Sequence, residues 1–383
     1  MLKVALICPF NLERLSGTPV RTNLTAQSLN NHCELLVCAT GGRDTYVKVI
    51  PDVWQPRPHR QPQFRLDRFT KQVLPALRAF QPDAIHLISP TGILSALAYK
   101  ILHPKVKIIT EIHGLTCYEM TGGSWLARNT FHLLDFLSLY FAHHIIAMSY
   151  SQKALITQLF GKYLDKKISV IWGPVDLNFI QPMPLPLSNQ FTIGYLGNGS
   201  FWQGIDLILT AVKQLQNHPQ IHFMLGGIQP DLYKIQLPQP LPANLTIIPI
   251  VPLGKENEFF SQCHALISSR IGGMVTESQY PYKLSYYLAA GRPIIASDVS
   301  DQRLIVEQAN CGFIFNPDQP ETLAEKILTL FHTSQEKRHI MGNNGRQFAE
   351  KYLSLGQLGI TLLQIYQGKG GTRKTLPPSP KIN

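Results

Sequence analysis

Short apolar segments alternating with amphipathic ones constrain this sequence more than any other feature. Residues 3–8, 34–38, 84–87, 107–112, 145–147 and 168–171 read as strands, and 20–29, 93–102, 126–141 and 151–160 read as helices. The connections are too long for tight hairpins and long enough for crossover helices, so the strands pair mostly in parallel. After residues 173–190, which hold several prolines, the pattern restarts. Strands are expected at 191–196, 221–225, 245–250, 265–268 and 293–296, and helices at 204–215, 282–290, 302–308, 321–331 and 334–352.

The chain has 383 residues, 44% of them hydrophobic, which exceeds what one core usually organises and points to two domains. The expected division is a first domain over 1–173, a linker over 174–190 and a second domain over 191–355. A terminal helix should return toward the first domain within 356–383, followed by a disordered tail from 368. The class is therefore α/β, and two doubly wound sheets of this kind hold ligands at the carboxyl ends of their strands, here in an interdomain cleft.

The net charge of +11 suits an anionic partner. Residues 43–78 carry eight Lys or Arg against three Asp, punctuated by five prolines, and read as a surface loop with a helix over 66–80. Peripheral contact with an anionic membrane through this stretch is a secondary expectation. A nucleic-acid partner is excluded because no series of stacking aromatics recurs. The six cysteines show no paired spacing, and no apolar run is long enough to cross a bilayer, so the expected setting is cytoplasmic.

Several polar groups stand where strands end. Ser16-Gly17-Thr18 lies between strand and helix, where glycine lets the backbone approach a ligand. His113 follows the strand at 107–112, with Glu111 two residues earlier to orient it, and suits contact with a sugar hydroxyl or with charge developing in transfer. His86 reads as a core or edge histidine. In the second half, Gly197-Asn198-Gly199-Ser200 and Gln203-Gly204 precede a helix whose amides can receive phosphate. Arg270 and Glu277 flank a Gly-rich loop, and Lys283 opens the next helix. No His/Cys pattern has metal-ligand spacing, and no metal or cofactor is expected.

These motifs resemble those of the retaining glycosyltransferases of family 4. The likeness runs from about residue 2 to 355 through Ser16-Gly17-Thr18, Glu111-Ile112-His113-Gly114, Gly173-Pro174-Val175-Asp176, Tyr195-Leu196-Gly197, Trp202-Gln203-Gly204-Ile205-Asp206 and Ala289-Ala290-Gly291-Arg292-Pro293. It implies two facing Rossmann-like domains of the glycosyltransferase B type. It also implies transfer of a hexose, with retention, from a nucleoside diphosphate sugar to a glycan, lipid-linked or small-molecule acceptor. His113 is then an implied catalytic residue; the family's first glutamate falls at Ser278, so Glu277 beside it is the expected catalytic carboxylate, and Gly17, Gly197, Asn198, Gln203, Gly204, Arg270, Lys283 and Tyr286 are the expected binding residues.

The departures are specific. Asn198 and Gln203 stand where the family usually places an arginine and a lysine against the diphosphate, and Tyr286 stands where a glutamate holds the ribose. Each lost charge-assisted contact costs about 1.5 to 3 kcal/mol without compensation. Lys283, Arg270 or Arg292 are the candidate replacements, Lys283 foremost. The alternatives are a catalytically degenerate binding or partner subunit and a related phosphorylase or epimerase.

Overall fold

The computed structural model describes residues 1–14, 17–51, 54–57, 60–119, 125–186, 188 and 190–369, with 54–57, 60–64, 117, 119 and 127 described through their backbone. Ser16, part of the loop at 117–125 and the tail beyond 369 thus lie outside the description. The chain divides into two compact units, Met1–Pro174 with the segment from Leu355, and Val175–Ser354. Residues 175–190 cluster with the second unit.

The first unit holds β1 (Lys3–Ile7), β2 (Glu34–Ala39), β3 (Val47–Val49), β4 (Trp54–Arg57), β5 (Arg60–Phe64), β6 (Ala84–Leu87), β7 (Lys107–Ile112), β8 (His144–Ala147) and β9 (Ile168–Val170). Its helices are α1 (Gly17–Leu29), α2 (Leu66–Phe80), α3 (Ile93–Leu102), α4 (Thr116–Glu119), α5 (Trp125–Tyr140) and α6 (Tyr150–Phe160). Seven strands form one parallel sheet in the order β3-β2-β1-β6-β7-β8-β9. Helices cover both faces, which is why Val4, Ala5, Leu6 and Ile7 are all buried although neighbours in a strand point oppositely. α2 presents Phe69, Val73 and Leu77, four residues apart, to that core.

The described residues within 43–78 hold more regular structure than a surface loop. β3 extends the sheet along β2, and β4 and β5 form a separate antiparallel ribbon. Pro56 and Pro62 lie in this ribbon, whose strands are both edges, the place where proline, lacking an N–H, is found in sheets. Its register shifts between Gln55 and Arg57, around Pro56.

The second unit holds β10 (Phe191–Leu196), β11 (Ile221–Gly226), β12 (Leu245–Ile248), β13 (Ala265–Ser268), β14 (Ile294–Ser297) and β15 (Gly312–Phe315). Its helices are α7 (Ile205–Gln214), α8 (Pro230–Tyr233), α9 (Glu256–Ser261), α10 (Met274–Glu277), α11 (Tyr282–Ala289), α12 (Gln302–Ala309), α13 (Glu321–His332) and α14 (Gln335–Tyr352). The six strands are parallel in the order β12-β11-β10-β13-β14-β15. In each sheet the order reverses beside the first strand, β1 and β10, and the loops leaving those strands stand at the reversal. The last helix, α15 (Leu355–Gln367), belongs to the first unit and buries Leu358, Leu362, Ile365 and Tyr366 with β1 and α1.

Candidate active site

In the first unit, β7 carries Glu111 fully buried and delivers His113 at its carboxyl end. Arg21, on α1 and equally buried, grips Glu111 with both forks: Nε to Oε1 at 2.8 Å and Nη2 to Oε2 at 3.0 Å. Its remaining Nη1 donates to the Trp172 carbonyl at 3.3 Å. His113 Nε2 lies 2.7 Å from Glu111 Oε1, and its Nδ1 lies 3.2 Å from the Thr18 hydroxyl in the first turn of α1. Burial alone would raise the Glu111 pKa, but Arg21, the hydrogen bond from His113 and the nearby His86 ring reverse this and hold it well below the carboxylate range. An ionised carboxylate has no proton to give, so His113 donates from Nε2, and in the neutral ring Thr18 donates to Nδ1.

Behind this pair lies a second histidine. His86 Nε2 is 3.4 Å from Glu111 Oε2, and its Nδ1 is 2.8 Å from the Tyr366 hydroxyl of α15. Burial, with Glu111 nearby, pushes the Tyr366 pKa well up, so the phenol donates to Nδ1 and leaves an Nε2 proton facing the carboxylate. His86 is therefore part of the Glu111 environment. Neither Arg21 nor Tyr366 was singled out in the sequence. A lone arginine amid the otherwise uncharged helical run 17–29 was the available signal for the first.

In the second unit, Gly197 and the following residues leave β10 and turn into α7. Tyr287 of α11 clamps the end of β10, accepting from Leu196 N at 2.9 Å and donating to Leu196 O at 3.1 Å. One turn earlier on α11, half-buried Lys283 donates to the Tyr195 hydroxyl at 2.9 Å and to Gln203 Oε1 at 2.5 Å, its ammonium 4.1 Å from the Tyr195 ring centre. Tyr195 donates in turn to the Asn198 carbonyl at 2.7 Å. Both hydrogen-bond partners of Lys283 are neutral. Burial, then the charge of Arg270, presses its pKa well below the ordinary 10.5.

The backbone around this lysine is drawn in tightly. A Cβ on Gly227, whose φ is +81°, would lie 2.5 Å from the Gly197 carbonyl oxygen. Gly204 (φ +63°) caps α7 in the left-handed region, and a Cβ there would meet the backbone at Arg270 and Ile271. Such a turn leaves the first amides of α7 for an anion.

The other sequence-derived residues fall around these two centres. Gly17 is the first residue of α1. Asn198 is exposed and accepts from Ser200 N at 3.1 Å. Buried Arg270 donates to Gln279 Oε1 at 2.7 Å. Glu277 ends α10 and accepts from Ser300 N at 3.0 Å. Tyr286 lies on α11, its hydroxyl pKa pushed up to about 12 by burial and by Glu256 and Asp176. Arg292 takes no part: it is buried and donates to the carbonyls of Phe260, Met183 and Pro184, at 3.1, 2.6 and 2.9 Å. It fastens the stretch at 183–184, so it is withdrawn both as an anion ligand and as a cap for α11. Among the described residues no group of three or more His, Cys, Asp or Glu is placed to hold a metal. No described helix is long and apolar enough to cross a membrane.

Two parallel, helix-covered sheets, each with its ligand-side loops at the strand reversal, define the glycosyltransferase B-type fold. Solved structures share it: sucrose-phosphate synthase from Thermosynechococcus elongatus (TM-score 0.71, 16% identity, 96% of this chain and 99% of that one). HepE of Anabaena, solved in complex with UDP and glucose, matches with TM-score 0.73 and 14% identity over 96% of this chain and 100% of that one. Residues 17–179 match Glycosyltransferase Family 4 and residues 180–348 match Glycosyl transferases group 1. The chain belongs to this glycosyltransferase family. Among curated relatives, the sulfoquinovosyl transferase SQD2 of Arabidopsis thaliana is 23% identical over 298 residues, 73% of this chain and 56% of that protein. An uncharacterized glycosyltransferase of Methanocaldococcus jannaschii is 27% identical over 159 residues, 39% of this chain and 40% of that protein. The chain thus spans about half the length of the curated relatives it matches.

Proposed function

We propose that the protein is a nucleotide-sugar-dependent hexosyltransferase that retains anomeric configuration, with Lys283 as the cation that receives the donor diphosphate. The observation that carries this reading is an ammonium held between neutral groups beside an anion-ready helix start. In water-poor surroundings such a cation gains most from an arriving anion. Gln203, an amide where the family's lysine would stand, then serves to aim Lys283, and Arg270 adds a second positive charge. A neighbour of the same fold, HepE, is solved with UDP-glucose, which agrees with this donor class.

Cleavage of the sugar–phosphate bond leaves negative charge on the departing diphosphate. Lys283 and the α7 amides stabilise it through charge and fixed dipoles. His113 is held by Glu111 through Nε2 and by Thr18 through Nδ1, so a sugar hydroxyl would reach its ring by taking the place of Thr18 at Nδ1. Glu277 holds Ser300 and, through it, the loop after β14; its second carboxyl oxygen is available for a sugar hydroxyl. A panel of nucleoside diphosphate hexoses, assayed for released nucleotide and for product configuration by NMR, tests the reading. Turnover with retention supports it. Donor binding without turnover supports a degenerate binding subunit, and phosphate-dependent glycan cleavage supports a phosphorylase.

A further inference from the structure

One face of the first unit is apolar where a water-facing helix is ordinarily polar. α3, α5 and α6 cover the same side of the sheet: α5 shares one core with α3 through Leu134 and Tyr99, and another with α6 through Leu139 and Ile156. On the outer side of α5, Trp125, Leu126, Leu133, Phe136 and Tyr140 are all exposed, Trp125 at 72%. They form a stripe about 22 Å long at about 1.5 Å per residue. α3, packed against α5, ends on Ile101 and Leu102, exposed at 80% and 61%. Large exposed apolar side chains gathered on one helix face, here interrupted by exposed Asn129, mark an interaction site.

Cations stand at the carboxyl end of α5. Lys100 of α3 reaches His143 Nε2 at 3.2 Å, and Lys167 donates to the Ala142 carbonyl at 3.2 Å. Lys105 and Lys166 are exposed nearby in sequence, and Arg128 projects from α5 beside Trp125 and Tyr118. The acidic residue of α5, Asp135, is buried. We propose that this face rests on an anionic lipid bilayer, with α5 lying in the interface plane. Aromatic residues at both ends of an apolar stripe, with lysines beside it, fit a headgroup boundary. A protein partner fits less well, since lysine is depleted in protein interfaces. α5 follows β7 and begins at the sheet edge where β7 delivers His113. An acceptor with a lipid tail is therefore the class this surface would serve, a consequence that rests on the transferase reading above.

Vesicles of phosphatidylcholine, with and without phosphatidylglycerol, test the surface directly by co-sedimentation, independently of turnover. Wild type is expected to bind the phosphatidylglycerol vesicles and to be released by salt. Leu133→Glu/Phe136→Glu, at exposed positions outside the core, is expected to lose about tenfold or more in partition while keeping its circular dichroism. Arg68→Glu/Lys71→Glu, within the basic stretch 43–78, is expected to bind as wild type does. Lack of vesicle binding by wild type, or loss in the α2 variant with none in the α5 variant, overturns the proposal. So does a concentration-dependent dimer that the α5 variant abolishes, which assigns the stripe to a second copy of the chain.

Discussion

The two charged centres solve opposite problems. In the first unit Arg21, Glu111 and His113 leave no charge unanswered: a bidentate ion pair, fully buried, fixes a carboxylate that in turn fixes a histidine. In the second unit Lys283 is held by a phenol and an amide, and nothing in those contacts cancels its charge. The first centre is finished before any ligand arrives. The second, on the proposed reading, is stabilised by the ligand itself. Removing a charge should therefore damage folding in one place and binding in the other.

The largest effect is expected from Glu111→Ala, which strands Arg21 in a dry interior and should cost about 3–5 kcal/mol, read as a shift in denaturant midpoint. Acid titration sharpens the point. Because the folded pKa of Glu111 lies well below its ordinary 4.5, its contribution to stability is present above about 4.5 and is lost as pH falls toward the folded value. Glu111→Gln should be less stable at neutral pH and should show a flatter loss of stability in acid.

Lys283→Met should do the reverse. The folded state disfavours the protonated lysine, so below its ordinary pKa of 10.5 the charge weakens the fold, and its removal should leave the melting temperature unchanged or higher. Donor affinity should fall about ten- to a hundredfold, the equivalent of 1.5 to 3 kcal/mol, measured by calorimetry. A smaller change is expected from Gly227→Ala, whose Cβ would press on the Gly197 carbonyl; about 1–3 kcal/mol of stability should go, with donor affinity reduced through the displaced turn. Tyr286→Phe should be the mildest, altering affinity by less than about tenfold, since only one neutral hydroxyl is lost.

The sequence exposed the fold because periodicity is local: β1, β7 and β10 are short apolar runs, and α2 shows its buried spacing over Phe69, Val73 and Leu77 without reference to the rest of the chain. It concealed what depends on distant pairing. β3 exists because β2 offers an edge, and β4 and β5 exist because two proline-containing segments can pair as edges. The same divide runs through the candidate site. His113, Glu111 and Lys283 stand at recognisable places in strands and helices. Arg21 lies 90 residues from Glu111, and Tyr366 lies 280 from His86, so no spacing rule links them. Arg292 misled for the same reason, because its acceptors at 183 and 184 are more than a hundred residues away.

The contrast between a finished centre and a waiting one is tested most directly by donor titration. Nucleoside diphosphates can be titrated calorimetrically at neutral pH and at two salt concentrations into wild type and Lys283→Met. A diphosphate received by the Lys283 ammonium should bind wild type about ten- to a hundredfold more tightly than the variant, and added salt should weaken binding more in wild type than in the variant. Equal affinity and equal salt dependence in the two proteins would contradict the assignment of Lys283 as the cation that waits for the donor.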